Sequence, residues 1–279
     1  MRIAHDYIGQ AIDDLIERAG FAPELKSEWT NRWVAVHSLE RFAECDFVIE
    51  TVVEDTEAKK KVFDQIEAVV RADVPIASNS SSIPITQMQS DRKHPQRFVG
   101  MHWAEPAHAT RFLELIRGEQ TSEAAFQIAA DLGKRFGKDP CLVQKDVPAF
   151  IVNRIGYAMY REATHLLDMG VADVETIDRS CRNAFGLWAA MCGPFRWIDI
   201  TGGPAGYARA VERVLPTLNS NTKEIPKSLA KLKQEDAQGV TNGRGFYQYQ
   251  EGEKEEWEKR FREHAWRVKE WMDQQFPLT

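Results

Sequence analysis

His102 and Glu114 carry the clearest chemical signal in the chain. His102 ends an apolar, strand-like run containing Phe98, Val99 and Met101, and Glu114 stands between Leu113 and Leu115 in a second such run. A charged carboxylate in a buried strand needs a partner. An imidazole suits, because its hydrogen bond to the carboxylate fixes the tautomer and raises the basicity of the other ring nitrogen. Such a pair is fit for general-base work near neutral pH. Taken alone, a histidine near a strand end and a glutamate in an apolar run also suit structural roles, so the elements that carry them decide.

Those elements alternate. Asp46–Val53 is a near-continuous apolar, β-branched run, as in a strand covered on both faces. Thr56–Val70 follows with helical spacing of Ala58, Val62, Phe63, Ile66 and Val69. Val74–Ser78 reads as a strand running into the polar cluster Asn79–Ser82. After Phe98–His102 and Phe112–Ile116 comes a helix through Phe136, for which Thr121 is the expected cap. Cys141–Gln144 is a last short strand. Strands alternating with helices indicate a mostly parallel α/β sheet. Beyond Pro148 helical patterns take over, at Phe150–Met169, Asp173–Phe185, Ala205–Leu218 and Ser228–Gln234. Only Gly245–Tyr249 still reads as a strand. The boundary falls near Lys145–Pro148, giving domains over 1–146 and 147–279. Within Glu251–Phe276, Trp257, Phe261, Ala265, Val268, Trp271 and Met272 form an apolar stripe, read as a terminal helix packed on its own chain.

Bulk properties narrow the class. The 279 residues carry a net charge of −6 and no basic stripe with interleaved aromatics, which argues against nucleic-acid binding. No apolar run is long enough to span a membrane, and residues 1–20 show helical spacing in place of a signal-peptide pattern. The four cysteines form no CxxC pair and no metal-type cluster, so no metal site is expected and a reducing, cytoplasmic setting is.

The ordered set DFVIETVVED with Lys59, SNSSS, GMHW with Glu114, PAFIVNR, CGPFRWID and GRGFYQY resembles the NAD-dependent 3-hydroxyacyl-CoA dehydrogenase family, over about Phe42–Tyr249. The resemblance implies oxidation of a 3-hydroxy group with NAD+. His102 matches the family's catalytic base and Glu114 the acid that orients it. Ser81 matches a serine near the substrate oxygen and nicotinamide, and Asn153 an asparagine that reaches the reaction centre. Glu54 and Lys59 match residues beside the nicotinamide half of the cofactor. Taken singly, Ser81 also suits a loop cap and Asn153 a helix start. The resemblance further implies a small-molecule substrate and a homodimer formed through the helical domain.

Three departures stand out. The family opens with a strand, a G-x-G-x-x-G turn and a helix that hold the cofactor pyrophosphate. This sequence has no such motif, so the expected architecture is a partial doubly wound, Rossmann-like sheet followed by an all-helical domain with a C-terminal helical extension. A fragment or misplaced start is the preferred explanation, because His102, Glu114, Ser81 and Asn153 remain; the alternative is a truncated, non-catalytic family member acting as a binding or structural subunit. Glu105 stands at a substrate-side position where the family usually has Asn. An amide donates to a carbonyl, whereas a carboxylate only accepts. That leaves Glu105 turned away, protonated, or facing a cationic or hydroxyl-rich substrate. Nearby Trp103 and His108 are read as reshaping the substrate pocket, with ordinary packing as the alternative. Ala149 replaces a common Gly at the start of the Asn153 helix. Finally, Asp13, Asp14 and Glu17 near the N-terminus argue mildly for a smaller 3-hydroxy acid over a CoA thioester.

Overall fold

A computed structural model describes residues 2–219 and 224–278. They form two compact units. The first comprises the chain up to Arg154 together with the segment from Phe261 onward, and the second is Ile155–Arg260. The division between them falls after Arg154, a few residues beyond Lys145–Pro148. The terminal segment, grouped with the second domain on sequence, packs with the first.

The first unit is built on a five-stranded sheet in sequence order: β1 Val48–Glu50, β2 Ile76–Ser78, β3 Phe98–Trp103, β4 Phe112–Ile116 and β5 Asp139–Val143. Pairing is parallel except between β3 and β4. Side chains alternate across a sheet, and this sequence uses the alternation consistently. Ala77, Val99, Met101, Leu113 and Leu115 point to one face and pack with Phe126 and Ala129 of α5 (Glu123–Arg135). Val48, Ile76, Phe98 and Ile116 point to the other, against Phe63 and Ile66 of α3 (Thr56–Val69) and Ile85 of α4 (Ile85–Gln89). By the same parity Glu50, Ser78, His102 and Glu114 share that second face. Gly100 lies there too: a Cβ would come within 2.8 Å of Ile116 Cβ, so only glycine lets β3 and β4 close.

Local chemistry sets the helix ends. Asp55 caps α3 through Ala58 N–H at 2.8 Å, and Ser122 caps α5 through Ala125 N–H at 3.2 Å. The expected cap Thr121 instead turns inward and donates to Phe98 O at 2.6 Å. β1 stops at Glu50, short of the apolar run that ends at Val53; no strand pairs its outer edge among the described residues. The first unit also holds α1 (Arg2–Ala19) and α2 (Leu25–Arg32).

The second unit contains most of α6 (Val152–Asp168), then α7 (Val174–Ser180), α8 (Gly186–Ile200), α9 (Gly203–Val214), α10 (Lys227–Gln234) and the start of α11 (Glu253–Gln275). Helix α8 breaks at Gly193–Pro194, where Gly193 has φ 65°. The strand expected at Gly245–Tyr249 does not form; only isolated bridges link Gly239 with Arg244 and Arg244 with Gln248. A strand needs a neighbour to satisfy its backbone, and among the described residues no strand pairs with this segment. No helix among the described residues is long and apolar enough to cross a membrane.

Candidate active site

Strands β3 and β4 place His102 directly opposite Glu114 in the antiparallel register. The imidazole Nδ1 lies 2.9 Å from Glu114 Oε2, and both side chains are buried. Glu114 Oε1 accepts the backbone N–H groups of Ile151 (3.1 Å) and Val152 (2.8 Å) at the start of α6. An ionised carboxylate only accepts, so this contact selects the imidazole tautomer with its proton on Nδ1, the one whose Nε2 can accept. Phe112 and Phe150 rings stand 5.7 Å from the imidazole and confine it. The turn into α6 is left-handed at Ala149 (φ 64°) and Phe150 (φ 51°), which explains why glycine suits the position that Ala149 occupies.

One residue into α6, Asn153 Nδ2 donates to Ser81 O at 3.0 Å. Ser81 N–H in turn donates to Glu54 Oε1 at 2.9 Å. That oxygen also accepts Ser80 Oγ (2.7 Å), Ser82 N–H (2.7 Å), Ser82 Oγ (3.0 Å) and Ile83 N–H (3.3 Å). Partial burial raises the Glu54 pKa, but the donors Ser80, Ser82 and Ile83 outweigh it and bring it down to about 2. Lys59 Nζ approaches Glu54 Oε2 at 3.5 Å. The sequence-predicted residues other than Glu105 therefore form one continuous chain, from Lys59 through Glu54, Ser81, Asn153 and the α6 amides to Glu114 and His102.

Lys59 is fully buried and bonded to both oxygens of Glu50 at 2.9 and 3.1 Å. Its ammonium is spent inside the protein, so it positions Glu54 and does not face a ligand. Glu50 and Ser78, whose hydroxyl donates to Glu50 Oε2 at 2.6 Å, complete this buried cluster. Sequence reading missed both, although Glu50 stands in an apolar run just as Glu114 does and needs a partner for the same reason.

Glu105 lies outside the chain of contacts. It turns away and accepts Tyr7 Oη of α1 at 3.0 Å, and burial together with the Glu105 charge lifts the Tyr7 pKa to about 12. Trp103 and His108 make the packing contacts of the alternative reading. Trp103 sits on Phe136 with Lys138 Nζ 5.6 Å above its ring, and His108 Nε2 pairs with Asp14 at 3.0 Å.

With the geometry in place, the comparisons decide the family. Residues 1–147 match the family model "3-hydroxyacyl-CoA dehydrogenase, NAD binding domain", and residues 150–249 match the C-terminal domain of the same enzymes. The chain belongs to the 3-hydroxyacyl-CoA dehydrogenase family. It is 36% identical to a 3-hydroxybutyryl-CoA dehydrogenase of Bradyrhizobium diazoefficiens, over 81% of this chain and 75% of that protein. It is 34% identical to the 5-formyl-3-hydroxy-2-methylpyridine 4-carboxylate 5-dehydrogenase of Mesorhizobium japonicum over 73% of its residues, and spans 65% of that relative's length. Among solved structures, a 5-formyl-3-hydroxy-2-methylpyridine 4-carboxylic acid 5-dehydrogenase described as an NAD+ dependent dismutase superposes with a TM-score of 0.78 at 30% identity, covering 85% of this chain and 76% of that one. The (S)-3-hydroxybutyryl-CoA dehydrogenase of Ralstonia eutropha gives 0.72 at 31%, covering 90% and 87%.

Family members are NAD-dependent oxidoreductases, and the residues present fit one end of that cofactor. The amides of residues 81–83 are already taken by the Glu54 carboxylate. An anionic phosphate is disfavoured there, whereas the cationic nicotinamide ring of NAD+ is favoured. Among the described residues no glycine-rich turn between a strand and a helix offers amides to the pyrophosphate.

Proposed function

We propose that this chain oxidises the 3-hydroxy group of a 3-hydroxyacyl-CoA, or of a related 3-hydroxy acid, with His102 as general base. The carrying observation is the 2.9 Å contact between His102 Nδ1 and Glu114, which leaves Nε2 as the acceptor for a hydroxyl proton. Glu114 stabilises the imidazolium that forms, and its second oxygen ties the pair to the α6 terminus. Ser81 Oγ and the Asn153 amide are the polar groups suited to hold the substrate oxygen. Glu54, Ser81 and Lys59 serve the nicotinamide end, Glu54 and Ser81 directly and Lys59 through Glu54. NAD+, when bound, supplies the hydride acceptor. Glu105, engaged by Tyr7, has no direct part in this chemistry.

His102→Gln keeps the fold and is expected to lower kcat at least about a hundredfold. The check is NADH production from 3-hydroxybutyryl-CoA beside circular dichroism of both proteins. Unchanged kcat overturns the assignment. NADH fluorescence titration tests the cofactor separately.

The helical unit supports a homodimer. Not one described residue of Ile155–Arg260 is buried, and Ile155, Tyr157, Leu187 and Phe195 are exposed. Apolar surface on that scale marks an association face, and a second copy is its expected cover. The free cysteines fit a cytoplasmic setting.

A further inference from the structure

The chain beyond Tyr249 lies outside both matched family segments, yet its last turns grip the loop that joins the two catalytic strands. Loop residues 104–111 run from β3 to β4. Ala109 is fully buried in a cluster with Ala265 and Trp266 of α11 and with Leu15 and Ala19 of α1. Asp14 of α1 is the hub: its Oδ2 lies 3.0 Å from His108 Nε2, 3.4 Å from Trp266 Nε1 and 3.4 Å from Arg262 Nε. Arg111, the loop's last residue, is buried; it donates to Phe276 O at 2.6 Å and to Asp139 Oδ2 at 3.1 Å, and meets Asp273 Oδ1 at 3.5 Å. Phe112, next in the chain, rests on the His102 ring.

We propose that residues 261–276 act as a positioning clamp, in which Asp14, Trp266 and Arg111 hold the β3–β4 loop and thereby the His102–Glu114 pose. The proposal rests on the function assigned above to that pair. Its physical basis is the narrow tolerance of proton transfer, where a shift of about 1 Å costs up to about a hundredfold in rate. The loop connects the paired strands directly, so its freedom becomes freedom of their pairing.

The test uses the full chain with Asp14→Ala, Asp14→Asn and Trp266→Phe. Asparagine keeps an acceptor oxygen, and phenylalanine keeps an aromatic ring while removing the N–H. In Asp14→Ala, amide exchange in 104–111 is expected to accelerate about tenfold or more while α5 exchanges as in wild type. The His102 Nδ1–H proton resonance shifts or broadens. With 3-hydroxybutyryl-CoA, kcat falls about tenfold and KM stays within about twofold. Asp14→Asn restores most of each effect, and Trp266→Phe moves them less, in the same direction. Unchanged loop exchange, equal acceleration in α5, or an unaltered His102 resonance overturns the clamp. If the wild-type protein does not oxidise the substrate, the functional assignment fails, while exchange and the His102 resonance still decide the clamp.

Discussion

The two units bury their side chains in opposite ways. In the first, Phe63, Met101, Leu113 and Leu115 are sealed from solvent, and so are Lys59 and Gln89. In the second, nothing described is buried, and Phe195 is 83% exposed. An apolar cavity of about 510 Å³ also lies between Tyr160 and Leu167 of α6, Ile177 of α7, Leu229 of α10 and Phe246. A buried charge is tolerated only where every partner is fixed. The Glu50–Lys59 and Glu114–His102 pairs therefore belong in a packed sheet. The helical unit leaves its apolar side chains outward, where the proposed homodimer would cover them. On that proposal, fixed charges belong to one unit and assembly to the other.

The sharpest way to break that contrast is to truncate one aromatic from each. Phe63→Ala is expected to cost about 3–5 kcal/mol, since it empties a sealed site. Phe195→Ala is expected to stay within about 0.5 kcal/mol in dilute protein. Urea unfolding followed by circular dichroism checks both. A loss at Phe195 that appears only as protein concentration rises marks the association face. A loss of several kcal/mol at all concentrations means that the helical unit has a core of its own.

Within the first unit, Glu114→Gln separates chemistry from packing. The amide oxygen still caps the α6 N–H groups, but the charge proposed to stabilise the imidazolium is gone. The expected loss in kcat is about a hundredfold, or about 2.7 kcal/mol in the barrier. Steady-state kinetics beside a thermal melt checks it. A wild-type kcat means that Glu114 serves the helix terminus alone.

How much of this was readable in advance follows the range of the forces involved. Strand β4 was found at its observed limits, because alternation in Phe112–Ile116 is local. The His102–Glu114 pairing was readable for a similar reason, since the hairpin joining β3 to β4 is short. The partner of Glu105 was not, because Tyr7 lies 98 residues upstream and its approach depends on how α1 packs. The stripe on α11 was read only in part: Ala265 is buried and Val268 and Met272 are half-buried, but Trp257 and Phe261 are exposed and the unassigned Trp266 is buried. The indole N–H needs an acceptor, and only the fold brings Asp14 to it. Gly245–Tyr249 has strand composition but pairs with no strand among the described residues, and composition alone does not reveal a missing neighbour.

Ala149→Gly is a smaller probe of the same rigidity. At φ 64° an alanine Cβ crowds the following carbonyl, at a cost of about 1–2 kcal/mol. Glycine also gains freedom in the unfolded chain, which takes back about 0.4–1 kcal/mol. The net gain expected is about 0.5–1 kcal/mol in urea unfolding. A loss would mean that the Ala149 methyl makes packing contacts worth more than the strain.

The smallest expected effect concerns acid. Glu54 has its pKa lowered from 4.5 to about 2 in the folded protein. A depressed carboxyl pKa stabilises the fold above the unfolded value, and that contribution disappears as pH falls through the folded one. The window is therefore about pH 4.5 to 2. Glu54 is partly exposed, so screening keeps the contribution modest. Asp173, the α7 cap in the second unit, is lowered as well, by the Thr176 hydroxyl and backbone N–H, but on a fully exposed surface. Glu54→Gln is expected to flatten the decline in stability across this window, measured as Tm against pH. Asp173→Asn is expected to leave it close to wild type. Equal flattening by both substitutions would show that the charges of the packed unit are held no more firmly than those on the open helices.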